Sequence, residues 1–237
     1  MRGLILAGGT GSRLSPLTIT TNKHMLPVYD RPMIDWGIFH LHEIGIQDIG
    51  IVISKPHDEQ IKSYLGPKYT YIHQGDAQGI GQAVLAAKDF IGNEDFVVHL
   101  GDQIYTDSLR KYMEAFYKLN SDIYIILKQS PTANQHTMIF LDNDKIVDIK
   151  EKPATPEAGY VMTGMSFYKP TIFSTLLNLK PGHKGEYQLS DAIRDAWNGG
   201  RTVDYGILNG DWVDAGTPDN LMEASKIMKA VDKTFSI

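Results

Sequence analysis

The segment Leu6-Ala7-Gly8-Gly9-Thr10-Gly11-Ser12-Arg13-Leu14 sets three glycines around a cation. Glycines there let the backbone come close to a ligand and aim N–H groups at an anion. Arg13 lies inside the loop and Lys23 ten residues on, and two cations beside bare N–H groups suit a triphosphate or a pyrophosphate leaving group. On its own the loop reads first as a tight strand-to-helix turn. No Gly-Lys-Ser/Thr follows, so it is not a Walker A loop. Leu14 stands where a dinucleotide fingerprint needs its third glycine, which disfavours a dinucleotide-dependent dehydrogenase. Asp102 closes an apolar run and so falls at the carboxyl end of a strand, where open α/β sheets bind ligands. With the distant Asp214 it makes a two-carboxylate set of the kind Mg²⁺ takes, although Asp102 alone also reads as a turn or N-cap residue. Glu151 and Lys152 lie in the run Lys150-Glu151-Lys152-Pro153, whose bland reading is solvated surface. The Gln74 amide both donates and accepts, but on its own it reads as a plain loop glutamine.

Other groups carry less. His40 and His42 sit two apart and point away from each other on a helix, so no metal pair is expected. Asp142-Asn143-Asp144 lacks the glycine and terminal glutamate of a calcium loop and reads as a turn. The chain has no cysteine, which excludes a disulfide framework, a thiolate nucleophile and Cys-ligated zinc. A net charge of −5 argues against a general nucleic-acid binder. The apolar run Leu4 to Ala7 is too short for a signal segment, and no stretch reaches membrane-helix length, so the expected location is cytoplasmic.

The elements that must position these residues follow from periodicity. Strands are expected at Gly3–Ala7, Asp48–Ser54, Thr70–His73, Phe96–Leu100 and Ile123–Leu127. Helices are expected at Met33–Ile44, His57–Leu65, Gly79–Phe90 and Ser108–Lys118. That alternation implies a doubly wound, mainly parallel α/β sheet with helices on both faces. After Gln129 the rhythm changes to a hairpin of 137–141 with 145–150, a strand at Val161–Tyr168, and helices at Glu186–Trp197 and Pro218–Val231. At 237 residues the chain would bury about 70% of its unfolded surface, enough for one domain. Its expected parts are a larger α/β part over about 1–129, which holds the Gly-rich loop, and a small β subdomain over about 130–237.

The order Gly8-Gly9-x-Gly11-x-Arg13-Leu14-x-Pro16-Leu17-Thr18, Lys23-x-x-Leu26-Pro27-Val28 and Arg31-Pro32-Met33-Ile34 closely resembles sugar-1-phosphate nucleotidyltransferases, nearest their glucose-1-phosphate thymidylyltransferase branch. The likeness continues through Gln74, Leu100-Gly101-Asp102, Glu151-Lys152-Pro153, Gly185-Glu186 and Trp212-Val213-Asp214-x-Gly216-Thr217. It implies a Rossmann-like fold and Mg²⁺-dependent condensation of dTTP with glucose 1-phosphate to dTDP-glucose and pyrophosphate. The resemblance assigns nucleotide binding to Leu6, Gly8, Gly9, Thr10, Gly11, Ser12, Arg13, Gln74 and Gly79. It assigns the metal to Asp102 and Asp214, sugar-phosphate binding to Glu151, Lys152, Thr163 and Arg194, and catalysis to Arg13, Lys23, Asp102 and Lys152. In-line attack at the α-phosphorus needs no protein nucleophile, so catalysis is positioning and charge stabilisation.

Three departures bear on the sugar. Gly75-Asp76-Ala77-Gln78 replaces the family's prolines, Gln135-His136-Thr137-Met138 has Thr137 where relatives place a glycine and His136 where they place an aromatic residue, and Met162 is bulkier than the usual valine. Two alternatives stand: a UTP-dependent uridylyltransferase, because thymine and uracil offer Gln74 the same N3–H and O4 edge, and a non-catalytic nucleotide-sugar-binding subunit. The second predicts decay of Arg13, Lys23, Asp102, Lys152 or Asp214, and all five are present. Expected partners are small molecules, with no nucleic acid and no membrane; a homo-oligomer is left open. Longer relatives continue into extra C-terminal helices that build a second nucleotide site. Only six residues follow Val231 here, so that site is expected to be absent and nucleotide-sugar inhibition competitive with dTTP.

Overall fold

The computed structural model describes residues 1–131, 133, 135–154 and 158–231. In chain order the strands are β1 Arg2–Leu6, β2 Pro27–Val28, β3 Arg31–Pro32, β4 Ile49–Ile53, β5 Thr70–His73, β6 Phe96–Leu100, β7 Gln103–Tyr105 and β8 Ile123–Ser130. They continue with β9 Thr137–Asp142, β10 Lys145–Glu151, β11 Gly159–Tyr168, β12 Val203–Ile207 and β13 Trp212–Asp214. The helices are α1 Met33–Glu43, α2 Asp58–Leu65, α3 Ile80–Ala86, α4 Lys88–Ile91, α5 Arg110–Leu119, α6 Ile172–Leu176, α7 Leu189–Asn198 and α8 Pro218–Ala230.

Strands β6, β1, β4 and β5 form a parallel run that ends a nine-stranded mixed sheet, with β5 at its edge. The side chains of β1, β4 and β6 are mostly apolar and buried on both faces because helices cover both, whereas the edge strand β5 has exposed polar ends. Leu4 and Leu6 pack under α3, α6 and α7, while Ile5 and Ala7 face α1, α2 and α5. A third apolar cluster, with Trp36, Ile104, Ala215 and Met228, seats α8 against α1 and β7. Thr217 caps α8 by accepting from the Asn220 N–H, and Pro218 opens its first turn.

The sheet forks at β11. Tyr160 and Val161 pair with β9, whereas Met165–Tyr168 pair with β6, so β9 and β6 share one edge of the same strand. Along the opposite edge β8 follows β11 throughout, with its register slipping between Met162 and Ser166. Within that slip Gly164 takes φ +86°, and a Cβ there would lie 2.7 Å from the Gln103 side chain, so the fork demands glycine. The ends of β6 and β9 diverge from this point and leave a cleft between them.

The strands and helices named from periodicity all occur, β5 and β6 with the expected ends and the others with shifted ones. The helix expected over Gly79–Phe90 breaks at Ala87, and the turn delivers Ile91 fully into the core. The helix expected from Glu186 begins at Leu189, because the Tyr187 backbone is taken by Gln78 and Gly81 (2.8 Å each). Asn143 and Asp144 both take positive φ, the hairpin turn that their residue types suit. The expectation about residues after Val231 falls outside the described residues. Among the described residues no helix is long and apolar enough to cross a membrane.

Candidate active site

The cleft is a cavity of about 670 Å³, whose walls come from the Gly-rich loop, the ends of β6 and β10, β11, the start of α7 and β13. That volume suits a small organic ligand. Asp102 enters at the end of β6 and is 7% exposed. A single helical turn over Lys23–Met25, capped by the Asn22 side chain, brings the Lys23 Nζ to 2.5 Å from Asp102 Oδ2. Gln103 Nε2 donates to Asp102 Oδ1 at 2.9 Å, and Trp212 Nε1 donates to Gln103 Oε1 at 2.7 Å. Burial alone would raise the Asp102 carboxyl. The Lys23 ammonium and the hydrogen bonds from Lys23 and Gln103 outweigh it and hold the group well below the carboxylate range. Beneath it His24 is buried, and desolvation pushes its ring down to about 3, so it stays neutral at pH 7.

Antiparallel pairing of β13 with β7 sets Asp214 opposite Gln103, and so beside Asp102. Asp214 Oδ1 accepts from the Gly216 N–H at 2.9 Å, and Oδ2 lies 3.5 Å from the Arg13 guanidinium. The loop that carries Arg13 is anchored by fully buried Leu14 and by Thr18, whose hydroxyl donates to the Gly11 carbonyl at 2.8 Å. Gly11 is in the left-handed region at φ +69°.

The opposite wall belongs to β9 and β10. Their register places Thr137 directly across from Glu151. Glu151 Oε2 accepts from Thr137 Oγ1 at 2.5 Å and from Ser190 Oγ at 2.8 Å. The Lys152 Nζ lies 3.4 Å from Glu151 Oε1, and its backbone is turned to φ +40°. His136 packs edge-on to Trp212, with ring centroids 5.1 Å apart. Burial lowers its ring pKa, with Asp214 pulling the other way. Thr163 is fully buried at the fork, its hydroxyl donating to the Ile126 carbonyl at 3.1 Å.

The structure therefore brings Ser12, Arg13, Lys23, Asp102, Glu151, Lys152, Thr163 and Asp214 to one cavity. Gln74 and Gly8 meet one strand away, with Gln74 Nε2 3.4 Å from the Gly8 carbonyl oxygen, and a Cβ on Gly8 would come within 2.7 Å of that amide. Gly79, at φ +115°, packs on the Tyr187 backbone, and Gly9 and Thr10 line a separate 220 Å³ pocket. Leu6 ends β1 in the core. Arg194 is not in the wall of the large cavity; it pairs with Asp191 at 2.7 Å on its own helix. Lys184 lines the cavity instead, on a turn with φ +57° between Gly182 and Gly185. Gln103 and Ser190 also escape sequence reasoning. The only sequence signal for Gln103 is its place next to Asp102, and nothing local marks Ser190.

The fold and this grouping of residues define a nucleotidyltransferase: the chain belongs to the Nucleotidyl transferase family, which it matches over residues 2–230. Among curated proteins it is 32% identical over 235 residues to the low-salt glycan biosynthesis nucleotidyltransferase Agl11 of Haloferax volcanii, covering 96% of this chain and 66% of that protein. It is 34% identical over 243 residues to the glucose-1-phosphate thymidylyltransferase of Mycolicibacterium smegmatis, covering 98% of this chain and 83% of that protein. A Bacillus anthracis structure with sucrose, provisionally assigned as a glucose-1-phosphate thymidylyltransferase, superposes with a TM-score of 0.93 at 37% identity, covering 100% of this chain and 98% of that one. The chain spans 66% of the length of Agl11 and of the Streptomyces griseus glucose-1-phosphate thymidylyltransferase.

Proposed function

We propose that the protein transfers a thymidylyl group from dTTP to glucose 1-phosphate, giving dTDP-glucose and pyrophosphate, and that it does so in the cytoplasm on small-molecule substrates. The observation that carries this reading is the cavity itself. Two cations each paired with a carboxylate, Lys23 with Asp102 and Arg13 with Asp214, face a second cation–carboxylate set, Lys152 with Glu151. Two anionic substrates meeting end to end need that arrangement.

A non-bridging phosphate oxygen of the sugar phosphate attacks the α-phosphorus. The new P–O bond forms as the bond from that phosphorus to the bridging oxygen breaks, and pyrophosphate leaves with the electron pair. The attacking oxygen is already ionised at neutral pH, so no general base is required. Arg13, Lys23 and the loop N–H groups serve the triphosphate, and Lys152 serves the sugar phosphate. Gln74 serves the base edge, and Glu151 a sugar hydroxyl. Lys184, rather than Arg194, is the further cation within reach of the cavity.

Asp102 and Asp214 suit Mg²⁺. They are hard oxygen donors, Asp102 in the turn just before β7 and Asp214 on β13, which pairs with β7, and among the described residues no group of three or more His, Asp or Glu side chains is close enough to hold a metal alone. A two-carboxylate site leaves the remaining positions to water and phosphate oxygens, as Mg²⁺ prefers. When bound, the ion would neutralise charge on the phosphate oxygens.

The test is a matrix of dTTP, UTP, ATP and GTP against glucose, galactose and N-acetylglucosamine 1-phosphates, read by pyrophosphate release. The reading predicts that dTTP with glucose 1-phosphate ranks first. Absence of pyrophosphate from every pair would sink it. Preference for UTP would move the substrate without changing the chemistry, since uracil offers Gln74 the same edge.

A further inference from the structure

Among the described residues lining the cavity the carboxylates are Asp102, Asp214 and Glu151; Glu151 is the one carried by β10, and its side chain is 9% exposed. Its two oxygens are not equivalent. Oε2 accepts from Thr137 on β9 and from Ser190 in the first turn of α7, while Oε1 has only the Lys152 ammonium at 3.4 Å. Each hydroxyl has one proton, and both protons are spent on the same oxygen. The carboxylate is thus clamped from two elements, with Oε2 tied off by both hydroxyls and Oε1 holding only the Lys152 ammonium.

A carboxylate with both oxygens free grips an adjacent pair of sugar hydroxyls, one on each oxygen. A carboxylate with Oε2 occupied twice has little capacity left there and reads through Oε1. We propose that Thr137 and Ser190 are specificity-determining positioning residues: they limit Glu151 to a single hydroxyl of the glycosyl 1-phosphate. This rests on the sugar-phosphate reading of the cavity given above. It also gives Thr137 a task that a residue without a side-chain hydroxyl could not perform, since its hydroxyl is aligned by the β9–β10 register itself.

The experiment measures kcat/KM for α-glucose 1-phosphate and its 2-, 3-, 4- and 6-deoxy analogues with dTTP. Wild type should lose about 10- to 100-fold for one deoxy position, the range for a charge-assisted hydrogen bond. The neighbouring positions should change less than about 3-fold by the same account. Thr137→Val, which keeps the shape and removes the hydroxyl, should spread the dependence onto a second, adjacent hydroxyl, and Thr137→Ser should restore the wild-type pattern. Ser190→Ala carries the same expectation and replaces Thr137→Val if that variant does not fold. Equal dependence on two adjacent hydroxyls in wild type would overturn the proposal, as would an unchanged pattern in folded Thr137→Val or Ser190→Ala. No pyrophosphate with any of the five sugars would instead sink the underlying substrate reading.

Discussion

Replacing Lys23 with Met removes the cation that holds Asp102 but keeps most of the stem. The pair lies 2.5 Å apart with side chains 13% and 10% exposed, so solvent screens it little. Breaking a buried pair by deleting one partner costs about 3–5 kcal/mol, because the other charge is left without compensation. The Gln103 N–H still reaches Asp102, which puts the expected loss near the lower end, about 3 kcal/mol. For a chain of this length that lowers Tm by roughly 6–12 °C. Adding Asp102→Asn removes the stranded charge and should recover about half of the loss, a coupling that a double-mutant cycle reads directly. Acid gives an independent check. The folded Asp102 pKa is depressed, so in wild type the pair contributes stability above the unfolded carboxyl pKa of about 4, and loses it as pH falls toward the folded value. Without Lys23, burial raises the carboxyl, and the variant gains stability as pH falls. The gap between the two proteins should therefore narrow from pH 7 to pH 3 in urea unfolding. A double variant no more stable than Lys23→Met, or a gap that widens in acid, would refute the reasoning.

Lys152→Ala should lower kcat/KM for glucose 1-phosphate by about 10²-fold while leaving the calorimetric Kd for dTTP unchanged; equal weakening of dTTP would assign Lys152 to the other substrate. Asp214→Asn keeps an oxygen for the Gly216 N–H and so should fold normally. It should weaken Mn²⁺ binding, followed by electron paramagnetic resonance, and abolish most turnover. Gly79→Ala would set a Cβ 2.6 Å from the Tyr187 carbonyl oxygen at φ +115°, so a loss of about 2 kcal/mol or more is expected on urea unfolding, and a neutral result would contradict the packing described.

How much of the molecule is legible in the sequence depends on the range of each interaction. Thr70–His73 and Phe96–Leu100 can be read to the residue, because apolar β-branched and aromatic runs bounded by polar residues are local signals. β7 and β13 cannot, since three-residue strands have no periodicity and exist only by pairing with each other. That same pairing sets Asp214 beside Asp102, so the two carboxylates match a family pattern in sequence while nothing local makes them neighbours. The fork of β11 depends on a register slip at Gly164 that only the two flanking strands reveal. Arg194 is matched by position alone: its helix is there, and its guanidinium, paired with Asp191, stands outside the lining of the large cavity. Ser190 carries no signal of its own, yet it reaches Glu151 across 39 residues because α7 docks against β10.

The central claim is that the bond between the α- and β-phosphates of dTTP breaks as the sugar phosphate takes the thymidylyl group. Incubation with glucose 1-phosphate and dTTP labelled with ³²P at either the α or the γ position measures it directly. The account predicts that α-label appears in dTDP-glucose and γ-label in pyrophosphate, in equal amounts and only when glucose 1-phosphate is present. Release of γ-label as orthophosphate, or α-label remaining in dTTP at full enzyme and substrate, would contradict it.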